Sequence, residues 1–178
     1  MLQWFIMIKV GNVPDNVFRI PYRYWYYFYS HDRTWKIKFP NYPYFLFQDM
    51  QDTENSYPST SHFGGAEVHF LTSAHFQLEI VVEDRTNNFN EEDIKSTFDL
   101  LMDPSFSENT TMEFRMNERF LFANNFHALD LMKYNTINGI NIRNRCIIRK
   151  NRIYVISART QEFSPIQEAF VNSFDFML

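Results

Sequence analysis

The side chains best suited to metal binding and proton transfer in this chain are its five histidines: His31, His62, His69, His75 and His127. His69 and His75 lie close in the sequence, flanked by Glu67 and Glu79. Two histidines and a carboxylate are a common metal ligand set when they share one face of a hairpin. The spacing matches none of the established metal motifs, so we expect a solvated polar face, with no metal and no cofactor.

Nucleophilic catalysis requires a nucleophile beside a base. The chain has one cysteine, Cys146, in an isoleucine-rich segment where a buried, inert thiol is the default. It contains no Gly-x-Ser-x-Gly turn and no glycine-rich phosphate loop. We therefore predict that the protein is not an enzyme. The alternative is a small, hydrolase-like enzyme whose site assembles from residues distant in sequence.

Basic residues concentrate between Leu131 and Gln161, where seven occur with no acidic residue, although the whole chain has a net charge of -4. Four of them form the predicted binding patch: Arg143, Arg145, Arg149 and Arg152. On paired strands they are expected to bind an acidic protein or a lipid surface through salt-sensitive contacts. The alternative is that their stems cover a sheet face and their charges pair with acids of the same fold. Nucleic acid is not expected, because the chain is acidic and has no known reading module.

Length and composition are typical of one domain with a hydrophobic core. The chain has 178 residues, of which 45% are hydrophobic and 19% aromatic, with 20 phenylalanines. This content excludes the disordered class, and large rings favour strands. We therefore expect a sheet-rich core filled by phenylalanine.

Alternation of apolar and polar residues predicts the strands. Trp35–Phe39 alternates cleanly, and residues 66–83 are typical of a hairpin. Keeping its apolar faces together favours an odd-numbered loop around Thr72 to Ala74. Further strands are predicted at 112–116, 119–122 and 126–134. A second hairpin follows over residues 138–157, with Lys150 and Asn151 as its two-residue turn.

Two helices are predicted from capping signals. Asn90 precedes three acidic residues, which favours a helix over residues 90–102. Ser164, followed by Pro165, begins a second helix that extends to Phe176, with Gln167 completing a capping box.

Residues 1–30 are predicted to be an aromatic extension of uncertain structure, and residues 31–178 a single domain. The run Tyr22–Tyr29 is compatible with a strand buried on both faces, or with a surface that meets a partner. The apolar segment Trp4–Ile8 is too short to span a bilayer, and no signal peptide is readable. The chain as given is expected to be soluble.

The C-terminal part carries a resemblance to a known family. Its residues are Lys38-Phe39-Pro40, Asn151-Arg152-Ile153-Tyr154 and Phe170-Val171-Asn172-Ser173-Phe174. Over roughly 35–176 the chain resembles the Mog1/PsbP-like α/β/α sandwich domains, in particular bacterial relatives of unknown function. The resemblance implies an α+β fold, with an antiparallel sheet of about six strands covered by helices.

The same resemblance implies a non-catalytic binding or scaffolding role with a protein partner. Related bacterial proteins are often exported, so the localisation stays open, as does the oligomeric state. Since one fold serves many functions, the specific role is not set by this resemblance.

Overall fold

The computed structural model describes residues 13–48, 63–103, 112–161 and 164–177. These ranges contain ten strands, two α-helices and two short 3₁₀ turns at Asp15–Val17 and Tyr22–Tyr24. The strands are β1 Tyr26–Tyr29, β2 Trp35–Phe39, β3 Tyr44–Gln48, β4 Phe63–Thr72, β5 Phe76–Arg85, β6 Met112–Phe122, β7 Phe126–Asn135, β8 Asn141–Arg149, β9 Arg152–Thr160 and β10 Asp175–Phe176. The helices are α1 Glu91–Met102 and α2 Pro165–Asn172.

The strands form two antiparallel sheets. The large sheet has the order β3-β4-β5-β9-β8-β7-β6, and the small sheet has the order β1-β2-β10. The small sheet joins the two ends of the described chain, because β10 follows α2 and pairs with β2.

The hairpin of β8 and β9 has the predicted register. Ile148 pairs with Ile153 and Arg149 with Arg152, which leaves Lys150 and Asn151 as the turn. Lys150 adopts the left-handed φ of 57° that a two-residue hairpin turn requires. A central pair of strands is thus specified by a local signal.

The main core lies between the two sheets. The inner face of the large sheet, defined as the face toward the small sheet, contributes Leu78, Ile80, Val82, Tyr154, Ile156 and Ala158. From the small sheet, Trp35, Ile37 and Phe39 point into this core and are at most 1% exposed. Because successive side chains of a strand alternate, Lys36 and Lys38 face away from it.

The outer face of the large sheet receives α1. Asn90 caps this helix, accepting a hydrogen bond from the Asp93 backbone, and Asp93 completes a capping box. Ile94 and Phe98 then pack with Leu129, Cys146 and other residues of the sheet. The predicted helix and its N-terminus at Asn90 are confirmed.

The predicted α+β sandwich, with about six strands covered by helices, is wrong. The described chain is mostly β, with ten strands and two α-helices of twelve and eight residues. Two short helices are too small to cover seven strands, so a second sheet covers much of the inner face. No helix in the described ranges has the length and apolar character needed to cross a bilayer.

The predicted register of the β4–β5 hairpin is also wrong. Thr72 pairs with Gln77, so an even number of residues separates the last two paired positions of the hairpin. In this register Phe70 pairs with Glu79. The physical reason is that Val68, His69, Phe70 and Leu71 are all buried. Since both faces of this part of β4 are covered, apolar matching favours neither register.

The last helix is shorter than predicted. Ser164 does cap α2, accepting from the backbone of Ile166, but the helix ends at Asn172 and β10 follows. Gln167 does not form a capping box, because its side-chain amide donates to the carbonyls of Asn141 and Ala158. These two bonds tie the helix to β8 and β9.

Phe170 provides a test of this packing, because it lies on α2, is fully buried and contacts the Phe39 ring at a centroid distance of 5.0 Å. We expect Phe170→Ala to lower the free energy of unfolding by about 3–5 kcal/mol, since it leaves a cavity. Urea unfolding measures the change. The control is Leu100→Ala on the half-exposed side of α1, which we expect to cost under about 1 kcal/mol. Equal losses in the two variants would contradict this core.

Candidate functional site

The structure buries two of the four arginines of the predicted patch. Arg143 and Arg145 lie on the inner face of β8, where both donate to Asp130 of β7 at 2.7–2.8 Å. Arg143 also donates to Glu168 of α2 at 3.1 Å. Their side chains are only 4% and 11% exposed. These guanidinium groups neutralise carboxylates within the fold.

The other two arginines are also in contact with groups of the same chain. Arg152 donates to Asp84 and Asp32 at 2.6 Å. Burial alone would raise the pKa of Asp32, but hydrogen bonds from Arg152, Thr34 and Ser30 lower it overall. Arg149 lies over the Phe126 and Phe176 rings. These contacts correspond to the structural alternative, and partner binding by these arginines stays a prediction.

The histidine and carboxylate set near the first hairpin is divided by the sheet. His69 points inward, whereas Glu79 lies on the outer face, because it pairs with Phe70, the neighbour of His69. Burial raises the pKa of the Glu79 carboxyl, which Gln77 partly offsets by donating a hydrogen bond. Across the described ranges, no group of three or more His, Cys, Asp or Glu residues is placed to hold a metal ion.

A serine, a histidine and an aspartate meet at the turn between β4 and β5, but not in the order of a catalytic triad. The His75 ring contacts Asp15 through Nδ1. Hydrogen bonding from Ser73, and then from His75, lowers the pKa of the Asp15 carboxyl. The Ser73 hydroxyl also accepts from the backbone of His75 and Phe76. A triad needs the serine on the far ring nitrogen of the histidine, so this cluster is that of a capped turn.

Cys146 lies on the outer face of the large sheet, beneath α1. It is 2% exposed, and burial raises the pKa of its thiol to about 12. A thiol of this kind is protonated at neutral pH and is a poor nucleophile. The prediction of a buried, inert cysteine is confirmed.

The exposed face of the small sheet carries a set of aromatic and basic side chains that the sequence did not reveal. We call Tyr22, Tyr27, Tyr29, Lys36 and Lys38 the tyrosine–lysine face. The three tyrosines are 39–48% exposed. Tyr27 pairs with Lys38 and Tyr29 with Lys36 across β1 and β2, so these four side chains share one side of the sheet.

The lysines are held against the rings. Nζ of Lys38 lies 4.4 Å from the Tyr22 ring centroid and 4.8 Å from that of Tyr27. Nζ of Lys36 lies 5.4 Å from Tyr27 and 3.5 Å from Asp175. Contacts of this length are cation–π interactions, worth about 0.5–1 kcal/mol each at exposed sites. They orient the ammonium groups on the surface.

One local signal could have located this face. The alternation of Trp35–Phe39 places Lys36 and Lys38 on the solvent side of β2. The run Tyr22–Tyr29 shows no apolar–polar alternation, because tyrosine is amphipathic. All five of its tyrosines are exposed, whereas Trp25 is buried and Phe28 is half-buried. Phe18, which precedes this run, and Trp25, which lies within it, are buried in the main core, so residues 13–30 pack with the rest of the described chain.

Beside this face, a cavity of about 480 Å³ opens between the edges of the two sheets. We call it the histidine pocket and define it by Phe28, Tyr29, Tyr42, Phe45, Glu67 and His69. The His69 ring lies between Phe28 and Phe45, at centroid distances of 4.6 and 4.9 Å. It is 7% exposed.

The polar atoms of the histidine pocket are poorly paired. Nε2 of His69 is buried without a hydrogen-bond partner, and the nearest carboxylate oxygen, on Glu67, is 3.8 Å away. Burial lowers the pKa of the His69 imidazole to about 4 and raises the pKa of the Glu67 carboxyl. At neutral pH the pocket therefore holds an uncharged imidazole in an aromatic enclosure.

Asp130 offers a test of the internal pairing of Arg143 and Arg145. We expect Asp130→Asn to lower the free energy of unfolding by about 3–5 kcal/mol, since it leaves two buried cations without their shared carboxylate. The matched control is Asp99→Asn, which breaks the exposed pair with Arg119 and should cost under about 1 kcal/mol. Urea unfolding compares the two. An equally small loss for Asp130→Asn would show that the arginines are solvated.

His69 predicts a pH dependence of stability. Its pKa in the folded state, about 4, lies below the ordinary value of 6.5, so the unfolded chain binds the proton more tightly. Its contribution to the free energy of unfolding is therefore fully present above pH 6.5. As the pH drops toward 4, protonation of the unfolded chain reduces that contribution by up to about 3 kcal/mol. We expect His69→Phe to remove this part of the acid destabilisation. Unfolding curves between pH 7 and 4 measure it, and identical pH profiles would contradict a buried, neutral imidazole.

Comparison with known proteins does not assign a function to these sites. No protein-family model matches the sequence, and the comparison with curated proteins finds no match. Function is therefore argued from the residues alone.

Proposed function

We propose that the protein is a non-catalytic binding module whose tyrosine–lysine face receives an acidic, extended polypeptide. The observation that carries this proposal is the position of the half-buried Lys38, whose ammonium group lies over the exposed rings of Tyr22 and Tyr27. Tyrosine supplies amphipathic contact area with little loss of side-chain entropy, and lysine supplies charge. Together they suit a partner that has both carboxylates and a backbone to pair.

The edge of β1 supports an extended partner. In the described ranges β1 pairs with β2 only, so its other edge has no neighbouring strand. An unpaired edge is a template for strand addition, in which backbone bonds provide affinity and alternate side chains provide specificity. A peptide added beside Tyr26–Tyr29 would place every second side chain along Tyr27 and Tyr29.

Charge supports an acidic partner. Lys36 pairs at 3.5 Å with Asp175, a partly exposed carboxylate of the same chain, and this pair supports recognition of carboxylates by the face. Three arginines of the predicted patch are ion-paired within the fold, and Arg149 lies over two phenylalanine rings. The proposed surface therefore differs from the one that the sequence indicated. The resemblance to Mog1/PsbP-like domains stays a prediction, and this proposal does not depend on it.

The experiment uses a synthetic peptide in which glutamate alternates with threonine, titrated into the protein by calorimetry. We expect Lys38→Gln to weaken binding about three- to fivefold, the effect of one exposed charge, and added salt to weaken it further. Lys95→Gln, on the exposed side of α1, is the matched control and should leave the affinity unchanged.

Two further peptides identify the mode of binding. The glutamine version keeps the backbone and removes the charge, so we expect it to bind more weakly. A version with proline in place of threonine lacks every second backbone donor and disfavours strand pairing, so we expect it to bind more weakly than the glutamate–threonine peptide. Absence of binding by the glutamate peptide, or equal affinity for the glutamate and glutamine peptides, would refute the proposal.

A further inference from the structure

The histidine pocket has the properties of a small-molecule site, and it shares Tyr29 with the tyrosine–lysine face. Its volume of about 480 Å³ is within the usual range for ligand pockets. Its walls are aromatic, and they are partly open to solvent, since Tyr42 is 77% and Phe45 55% exposed. A flat, apolar ring would cover these exposed side chains and remove them from water.

A second observation points to a polar group on that ring. Nε2 of His69 is buried and has no hydrogen-bond partner. An unsatisfied buried polar atom is costly, and a ligand that pairs with it recovers the cost. The Glu67 oxygen at 3.8 Å is too far to serve.

We propose that the histidine pocket binds a small hydroxyaromatic compound, a phenol or a naphthol, whose ring lies among Phe28, Tyr42 and Phe45 and whose hydroxyl hydrogen-bonds to Nε2 of His69. A hydroxyl both donates and accepts, so it satisfies this nitrogen in either tautomer of the neutral ring. Low charge on the ligand is expected, because the imidazole is neutral and Glu67 would repel an anion.

The test measures 2-naphthol and naphthalene against the wild-type protein by calorimetry. The two share the fused ring and differ in the hydroxyl. Naphthalene leaves water more readily, so a nonspecific apolar patch would favour it. We expect 2-naphthol to bind at least about tenfold more tightly, the effect of one hydrogen bond to a buried, unpaired atom.

Variants assign this preference to one atom. His69→Phe keeps an aromatic side chain and removes the nitrogen, so the preference for 2-naphthol should disappear. His69→Gln keeps a group that donates and accepts, so it should retain the preference. The control is His127→Phe, a partly exposed histidine on the outer face of β7, which should bind both ligands like the wild type.

If His69→Phe does not fold, the comparison of the two ligands on the wild-type protein and on His69→Gln still tests the proposal. Failure of both ligands to bind at millimolar concentration, equal affinity for the two, or an unchanged preference in folded His69→Phe would overturn the proposal. The proposed peptide surface shares Tyr29 with this pocket but is tested with other ligands and with Lys38→Gln, so either proposal can fail without the other.

Discussion

The structure depends on closing the inner face of the seven-stranded sheet. Strands β5 and β9 present an apolar surface that must be kept from water, and the small sheet provides much of the cover through Trp35, Ile37 and Phe39. Burying one large side chain is worth roughly 1.5–3 kcal/mol. Because a strand shows alternate residues to its two faces, directing these three inward necessarily directs Lys36 and Lys38 outward. The surface that we propose as functional is thus a consequence of the packing that closes the core.

The charges follow a second constraint. Away from the small sheet, the inner face of β8 carries Arg143 and Arg145, which α2 and neighbouring strands partly enclose. Buried guanidinium groups are tolerated only when they are paired, and Asp130 between them meets that requirement, with Glu168 as a second acid. Part of the positive charge concentrated in this part of the sequence is therefore neutralised inside the fold.

Local signals predicted several elements correctly, and nonlocal pairing explains the errors. Helix α1 and the turn at Lys150 and Asn151 depend on neighbouring residues, so the sequence contains their causes. The fold class depended on β10, which has two residues and pairs with β2 near the other end of the chain. For the four arginines the sequence left two alternatives open, partner binding and pairing within the fold, and Ile147, Tyr154 and Ile156 share their face. Those three side chains indicated a covered face, but nothing nearby in the sequence identified Asp130 as the partner.

His69 shows why the alternation of apolar and polar residues does not predict a buried polar residue. Beside Glu67, it is typical of a solvated face, yet here the small sheet covers that face and the other side of β4 is also buried. An unpaired nitrogen in such a place costs about 1–3 kcal/mol, which a phenylalanine at this position would avoid. A folded chain can carry that cost when the surrounding rings contribute enough packing. A ligand that supplies the missing hydrogen bond recovers the same free energy as affinity, so this unpaired nitrogen can select the molecule that binds beside it.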